Sequence, residues 1–526
     1  MTVALSASAL RRTTLLCLAL AWPLAGVAGD GHAPSLPLDA DVAAQQAQMT
    51  SGQLSSHALV QAYLDRIAAL DDTGPQLHAV VELNPRALAD ADALDAERHA
   101  GHVRGPLHGI PVLLKDNIDA VPMVNSAGSL ALATHRPAQD AFLVARLRAA
   151  GAVILGKSNL SEWANFRSSY SSSGWSARGG QTRNAYAADR SPCGSSAGTA
   201  TAIAASLATV GVGTETDGSI ICPSSVSGLV GLKPTIGLVS RSGIIPISAS
   251  QDTAGPMTRT VADAAVLLDA LAAADAADSA TQAGDRSQPR YADALKPGAL
   301  RGARIGVLRQ SAGFHPPTDA VFEQALAALK AQGAELVDVE IPTAGQWGEA
   351  EMQVLLYEFK DGLNRYLADS HAPVGSLQAL IDYDRQHADT EMPWFGQELF
   401  EQAQTMGPLT DAAYRDARDK ARRLARTEGL DATLKKHHLQ ALVAPATGPA
   451  WVIDPVDGDH FLGEGYGIAA VAGTPSLTVP MGEVHGLPVG IVFLGPAWSE
   501  SRLIGLAYDF EQATHARRAP ALDAAR

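Results

Sequence analysis

Gly105-Pro106-Leu107-His108-Gly109-Ile110-Pro111-Val112-Leu113-Leu114-Lys115-Asp116-Asn117 is the stretch on which the fold turns. Residues 110–114 form a short apolar run with glycine on one side and charge on the other. That length and those bounds suit a strand buried on both faces, delivering Lys115 at its end. On either side the period changes. Upstream, 55–70 and 85–99 carry apolar residues at helical spacing. Downstream, 141–150 reads as a helix and Ala152-Val153-Ile154-Leu155-Gly156 as a second buried strand. Short apolar strands alternating with helices indicate an α/β layered fold. No linker of Pro, Ser and Gly alone splits the chain. The expectation is therefore a single α/β/α sandwich with a mixed central sheet.

Further along, 168–198 is rich in Ser and Gly, yet Tyr170, Trp175 and Tyr186 alternate there with Arg178, Arg183 and Arg190. A loop that is flexible in composition but carries aromatic anchors reads as lining a site. A small-residue helix follows over 197–208. Val210-Gly211-Val212-Gly213-Thr214 then reads as a strand entering the turn Glu215-Thr216-Asp217-Gly218-Ser219. Thr260-Val261-Ala262-Asp263 has the form of a capping box opening a helix that runs to Leu271. The stretch 275–288 reads as a surface connection, and about 345–440 as a helical insertion that roofs a cleft. Residues 473–494 return to short strands and turns.

The 526 residues are 46% hydrophobic and 18% charged, a globular composition able to bury a large core. The beginning differs: Arg11-Arg12, the apolar run Leu15-Leu16-Cys17-Leu18-Ala19-Leu20-Ala21-Trp22, and small residues through Ala28-Gly29. That is the form of a secretory signal peptide over 1–28, cleaved after Ala28, with 29–526 as the mature domain. The run is too short to span a membrane. The expected location is periplasmic or secreted, by either a general or a twin-arginine route. Removing the two arginines takes the net charge from −15 to −17, which repels nucleic acid and anionic membranes. Of three cysteines, Cys17 leaves with the signal. Cys193 and Cys222 remain, and in an oxidising compartment they are free to pair or not. No cluster of histidines accompanies them, so they do not form a zinc site.

Two more stretches join the first: Pro192-Cys193-Gly194-Ser195-Ser196-Ala197-Gly198 and Gly213-Thr214-Glu215-Thr216-Asp217-Gly218-Ser219-Ile220-Ile221-Cys222-Pro223. Singly, each has a bland explanation, a solvated strand end or a Gly-Ser turn. Together they resemble the amidase signature family. Gly156-Lys157-Ser158-Asn159, the run Gly228-Leu229-Val230-Gly231-Leu232-Lys233-Pro234-Thr235, Gly255-Pro256-Met257 and Gly473-Thr474-Pro475 follow in that family's order. Within it, Cys193-Gly194-Ser195-Ser196 and Thr216-Asp217-Gly218-Ser219-Ile220 are most similar to the bacterial peptide amidases, which remove the C-terminal amide of peptides. Most members have a second Gly where this chain has Asp217, and commonly Arg where it has Ile221.

The resemblance implies Ser219 as acylated nucleophile, Ser195 in a cis peptide bond as proton bridge, and Lys115 as base. It also implies oxyanion donors from the N–H groups of Thr216, Asp217, Gly218 and Ser219, and no metal or organic cofactor. The physics is coherent. A serine hydroxyl attacks well only when a base takes its proton, and lysine is a base only when neutral. Burial lowers a lysine pKa from about 10.4. Ser195 can accept from Ser219 while donating to Lys115. Asp217 is expected to orient the carboxamide or the departing ammonia, or else simply to form the turn. Glu215, His108 and Lys157 read as structural. The partner is a small or peptide amide, and a monomer suffices.

Other readings fare worse. Gly194-Ser195-Ser196-Ala197-Gly198 formally fits the G-x-S-x-G elbow of α/β-hydrolases with Ser196 as nucleophile. Yet Ala188-Asp189-Arg190-Ser191-Pro192 before it is polar and ends in proline, where that fold needs an apolar strand. A β-lactamase pattern lacks its serine three residues before a lysine. A broader acyl or aryl amidase remains within the family. A non-catalytic protein on this fold, or a cytosolic transamidating component, leaves the three residues or the export signal without a purpose.

Overall fold

The structure is a computed structural model that describes residues 38–283 and 290–522. The signal peptide expected over 1–28 lies outside the described residues. The described residues form one compact unit. In chain order its strands are β1 (Val80–Leu83), β2 (Pro111–Lys115), β3 (Val153–Ser158), β4 (Trp175–Ser176), β5 (Gly180–Gln181), β6 (Val210–Glu215), β7 (Val230–Lys233), β8 (Thr253–Thr258), β9 (Arg304–Leu308), β10 (Glu335–Val339), β11 (Ala441–Pro445), β12 (Ser476–Val484) and β13 (Leu487–Leu494). Eleven of these form one sheet in the order β1-β3-β2-β6-β8-β7-β12-β13-β11-β9-β10, and β4 pairs with β5 apart from it. The sheet is mixed. β3, β2 and β6 run parallel, as do β11, β9 and β10, and the strands between them are antiparallel. This is the α/β sandwich with a mixed sheet that the amidase fold implies.

Every residue of β2, β3 and β6 is buried. Parallel strands covered on both faces must be apolar throughout rather than alternating, which is why 110–114 carries no polar residue. The helix Ala87–His99 and the helix Phe142–Ala149 flank this region, and Val261–Leu271 starts where Thr260 accepts from the Asp263 N–H at 3.0 Å. The Asp263 carboxylate also takes the Val42 N–H at 2.9 Å.

Helices from Gly348–Asp369 to Asp431–Lys436 occupy the segment read as an insertion. Phe359, Leu363, Leu380 and Phe400 pack there against Trp163, Phe166 and Ile247 of the body, with Phe166 and Phe359 ring centroids 5.0 Å apart. Apolar burial of about 25 cal/mol per Å² holds this roof on. No helix among the described residues is long and apolar enough to cross a membrane.

Candidate active site

β2 and β6 lie side by side and parallel, with Leu114 opposite Val212, so their C-terminal ends open at the same edge. Such ends are where open α/β sheets hold ligands. Lys115 closes β2 with no solvent exposure. Its Nζ lies 2.7 Å from Ser195 Oγ, 3.1 Å from the Thr214 carbonyl and 2.9 Å from Thr214 Oγ1. Asn117 Nδ2 donates to the same Thr214 hydroxyl at 2.9 Å, steadying it. No carboxylate reaches ion-pair distance of Nζ among the described residues. Burial pushes the Lys115 pKa down to about 7, opposed at longer range by Glu215 and Asp252. Three neighbours suit a neutral amine well: two N–H groups for Thr214 and a lone pair for the Ser195 O–H.

Ser195 follows a cis bond from Gly194, and its carbonyl accepts from the Ser161 N–H at 3.0 Å. The helix Ala197–Ala204 begins two residues later. At Gly198 a Cβ would run into carbonyls of Ala79 and Asn159, so only glycine lets the helix pack so closely. Ser196 is turned away: its hydroxyl donates to the Thr214 carbonyl at 3.0 Å with no exposure, which disposes of the elbow reading.

Ser219 sits in the turn after β6. Its carbonyl accepts from the Ser196 N–H at 3.2 Å, and Cys193 and Cys222 form a disulfide, so the two serine segments are joined twice. Among the described residues no hydrogen bond engages the Ser219 hydroxyl or the N–H groups of Asp217 and Ser219. The turn is built by Glu215, whose buried carboxylate accepts from Ile220 N–H at 2.7 Å and Ile221 N–H at 3.0 Å, and draws on that of Gly218. Gly218 has φ +79°, and a Cβ there would strike the Tyr466 ring. Thr216 Oγ1 donates to Asp252 at 2.6 Å.

The Ser219 hydroxyl faces a recess of about 270 Å³ lined also by Gly194, Asp217, Phe166, Trp451 and Tyr466. Thr216, Ala164 and Ile247 are shared with a larger, mainly apolar cavity of about 470 Å³ that reaches Asn117 and Tyr366. Thus the turn carrying the serine stands between two halves of one cleft. Asp217 opens into the recess, and behind it stand Glu351 of the helix Gly348–Asp369 and Glu464. Burial first, then Glu351 and Glu464, push the Asp217 carboxyl well up; burial, Glu351 and Glu215 bring Glu464 to about 8.

Sequence reasoning did not find Glu351, Glu464, Asp459 or Tyr466. His108 is buried and bonds the Leu94 carbonyl at 2.9 Å, and Lys157 pairs with Asp116 at 3.2 Å, both away from the recess. Of the loop aromatics, Trp175 is a buried anchor while Tyr170 is 71% exposed.

Comparison with known proteins agrees with this geometry. A family model described as Amidase matches residues 58–504. The crystal structure of native peptide amidase from Stenotrophomonas maltophilia superposes with a TM-score of 0.88 at 58% identity, covering 92% of this chain and 98% of that one. A probable amidase of Arabidopsis thaliana is 39% identical over 89% of this chain and 88% of its own length. One component of the glutamyl-tRNA(Gln) amidotransferase of Gloeobacter violaceus is 36% identical over 91% of this chain and 98% of its own length. The chain belongs to the amidase signature family and is an amide hydrolase by that membership.

Proposed function

We propose that the protein hydrolyses the C-terminal carboxamide of peptides, releasing ammonia through an ester on Ser219. The observation that carries the mechanism is the 2.7 Å contact between a fully buried Lys115 Nζ, with no carboxylate partner, and Ser195 Oγ. Neutral Lys115 takes the Ser195 proton as Ser195 takes that of Ser219, and Ser219 Oγ attacks the carbonyl carbon. The Asp217 and Ser219 N–H groups stand free to meet the oxyanion, each such donor worth about 3–4 kcal/mol. Lys115 then returns its proton through Ser195 to the leaving amine. Water, deprotonated by the same relay, cleaves the ester and frees Ser219.

The peptide-amide substrate is supported by the 58% identity to a peptide amidase and by a cleft that extends on both sides of the serine. Export to the periplasm or medium is supported by the N-terminal pattern and by the Cys193–Cys222 bond, which suits an oxidising compartment.

Ammonia release across peptide amides, simple acyl amides and aryl amides tests the reading. Peptide amides should be turned over fastest, and Ser219→Ala should abolish release from all three. Preference for simple acyl or aryl amides would replace the substrate assignment. Undiminished release by the variant would remove the mechanism.

A further inference from the structure

The ionisable groups lining the recess that holds Ser219 are all acidic. Its lining includes the carboxyl groups of Asp217 and Asp459 and no lysine, arginine or histidine. Asp459 is fixed there by the Trp451 Nε1–H at 2.9 Å and the Ser173 N–H at 3.1 Å. Behind Asp217, Glu351 is held by Gln251 Nε2 at 2.9 Å, and it shares a hydrogen bond with Asp217 that requires a proton between the two carboxyls. Glu464 and the Tyr466 hydroxyl complete that wall, with Glu215 beneath. The cations nearby are engaged elsewhere: in the adjoining cavity Arg241 pairs with Asp278 at 2.6 Å and Arg365 with Asp361. Lys233 is buried and donates to the Pro234 carbonyl at 3.1 Å, and Lys115 lies behind Ser195.

Amide hydrolysis converts a neutral carboxamide into a carboxylate at the same atoms. In this recess a carboxamide finds carboxyl oxygens to accept its N–H groups, whereas a carboxylate finds no cation and, once these carboxyls ionise, like charge. We infer that the recess discriminates by charge, admitting the neutral carboxamide and repelling free C-terminal carboxylate, so that the acid product leaves and peptide acids do not compete. This rests on the hydrolase reading above. Because Glu464 titrates at about 8, the repulsion grows as pH rises through that value.

The test uses N-acetylphenylalanine amide as substrate and N-acetylphenylalanine as inhibitor, at pH 6 and pH 9. Glu464→Gln should bind the acid about tenfold more tightly than wild type at pH 9 and equally at pH 6. Asp459→Asn, which keeps the Trp451 acceptor, should also tighten acid binding at pH 9. In both, the amide's KM should move less than the acid's inhibition constant. Comparing variant with wild type at each pH cancels the titration of Lys115. Unchanged acid inhibition in both variants, with turnover retained, overturns the charge inference. No ammonia from any amide in the wild type would instead overturn the hydrolase reading.

Discussion

Lys115 and Lys157 belong to neighbouring parallel strands, and neither has any solvent exposure. Their surroundings differ in one respect. Lys157 Nζ has Asp116 at 3.2 Å, with the Ile118 and Val124 carbonyls and Asn125 Oδ1 as further acceptors. Lys115 has two hydroxyls and one carbonyl and no counter-charge. Burial depresses both, but Asp116 works against it directly at Lys157, while at Lys115 only Glu215 and Asp252 do so, from farther off. Burial alone therefore does not make a lysine a base; it needs in addition the absence of an adjacent carboxylate and a hydroxyl within reach to take a proton from, as Ser195 is for Lys115.

The largest expected consequence is at Lys115. Lys115→Met should lower kcat/KM by roughly 10³–10⁴-fold, as loss of a positioned base does. The same variant should also change how stability depends on pH. The unfolded chain keeps a proton that the folded protein releases, so this group makes wild-type stability rise with pH between about 7 and 10.5. Denaturation across that window should show a shallower rise in the variant than in wild type, with Lys233 still contributing above about 8. If the variant kept both turnover and the wild-type rise, the contrast between the lysines would be broken.

A smaller change in rate is expected at Lys157. Lys157→Met leaves Asp116 with Arg178 at 3.0 Å but removes a buried partner, which should cost about 3–5 kcal/mol of stability. Turnover per folded molecule should fall by no more than about threefold, with its pH dependence intact. A shifted pH profile in this variant would show that Lys157 shares the proton chemistry.

Both lysines follow or end apolar strands, and the sequence alone offered little to separate them beyond their motifs. The strands themselves were legible because a sheet covered on both faces demands uninterrupted apolar runs, as in 110–114 and 152–156. The segment Val261–Leu271 was legible from Thr260, whose cap is a local interaction. The serines were legible only through the resemblance of their motifs, taken together and in order, to the amidase signature family. The carboxyl wall was not. Glu351 sits in the first turn of its helix, where an acidic residue normally answers the helix dipole. Nothing within a helical period of it points to Asp217. The Cys193–Cys222 bond was open for the same reason, since pairing depends on how β6 and the Gly194–Ser195 segment are brought together.

The pH dependence of Ser219 acylation, followed in the first turnover with a peptide amide from pH 5 to 9, tests the uncharged-lysine claim most directly. The rate should fall about tenfold per unit below about 7, as Lys115 takes up its proton. A rate that stays flat down to pH 5 would contradict it.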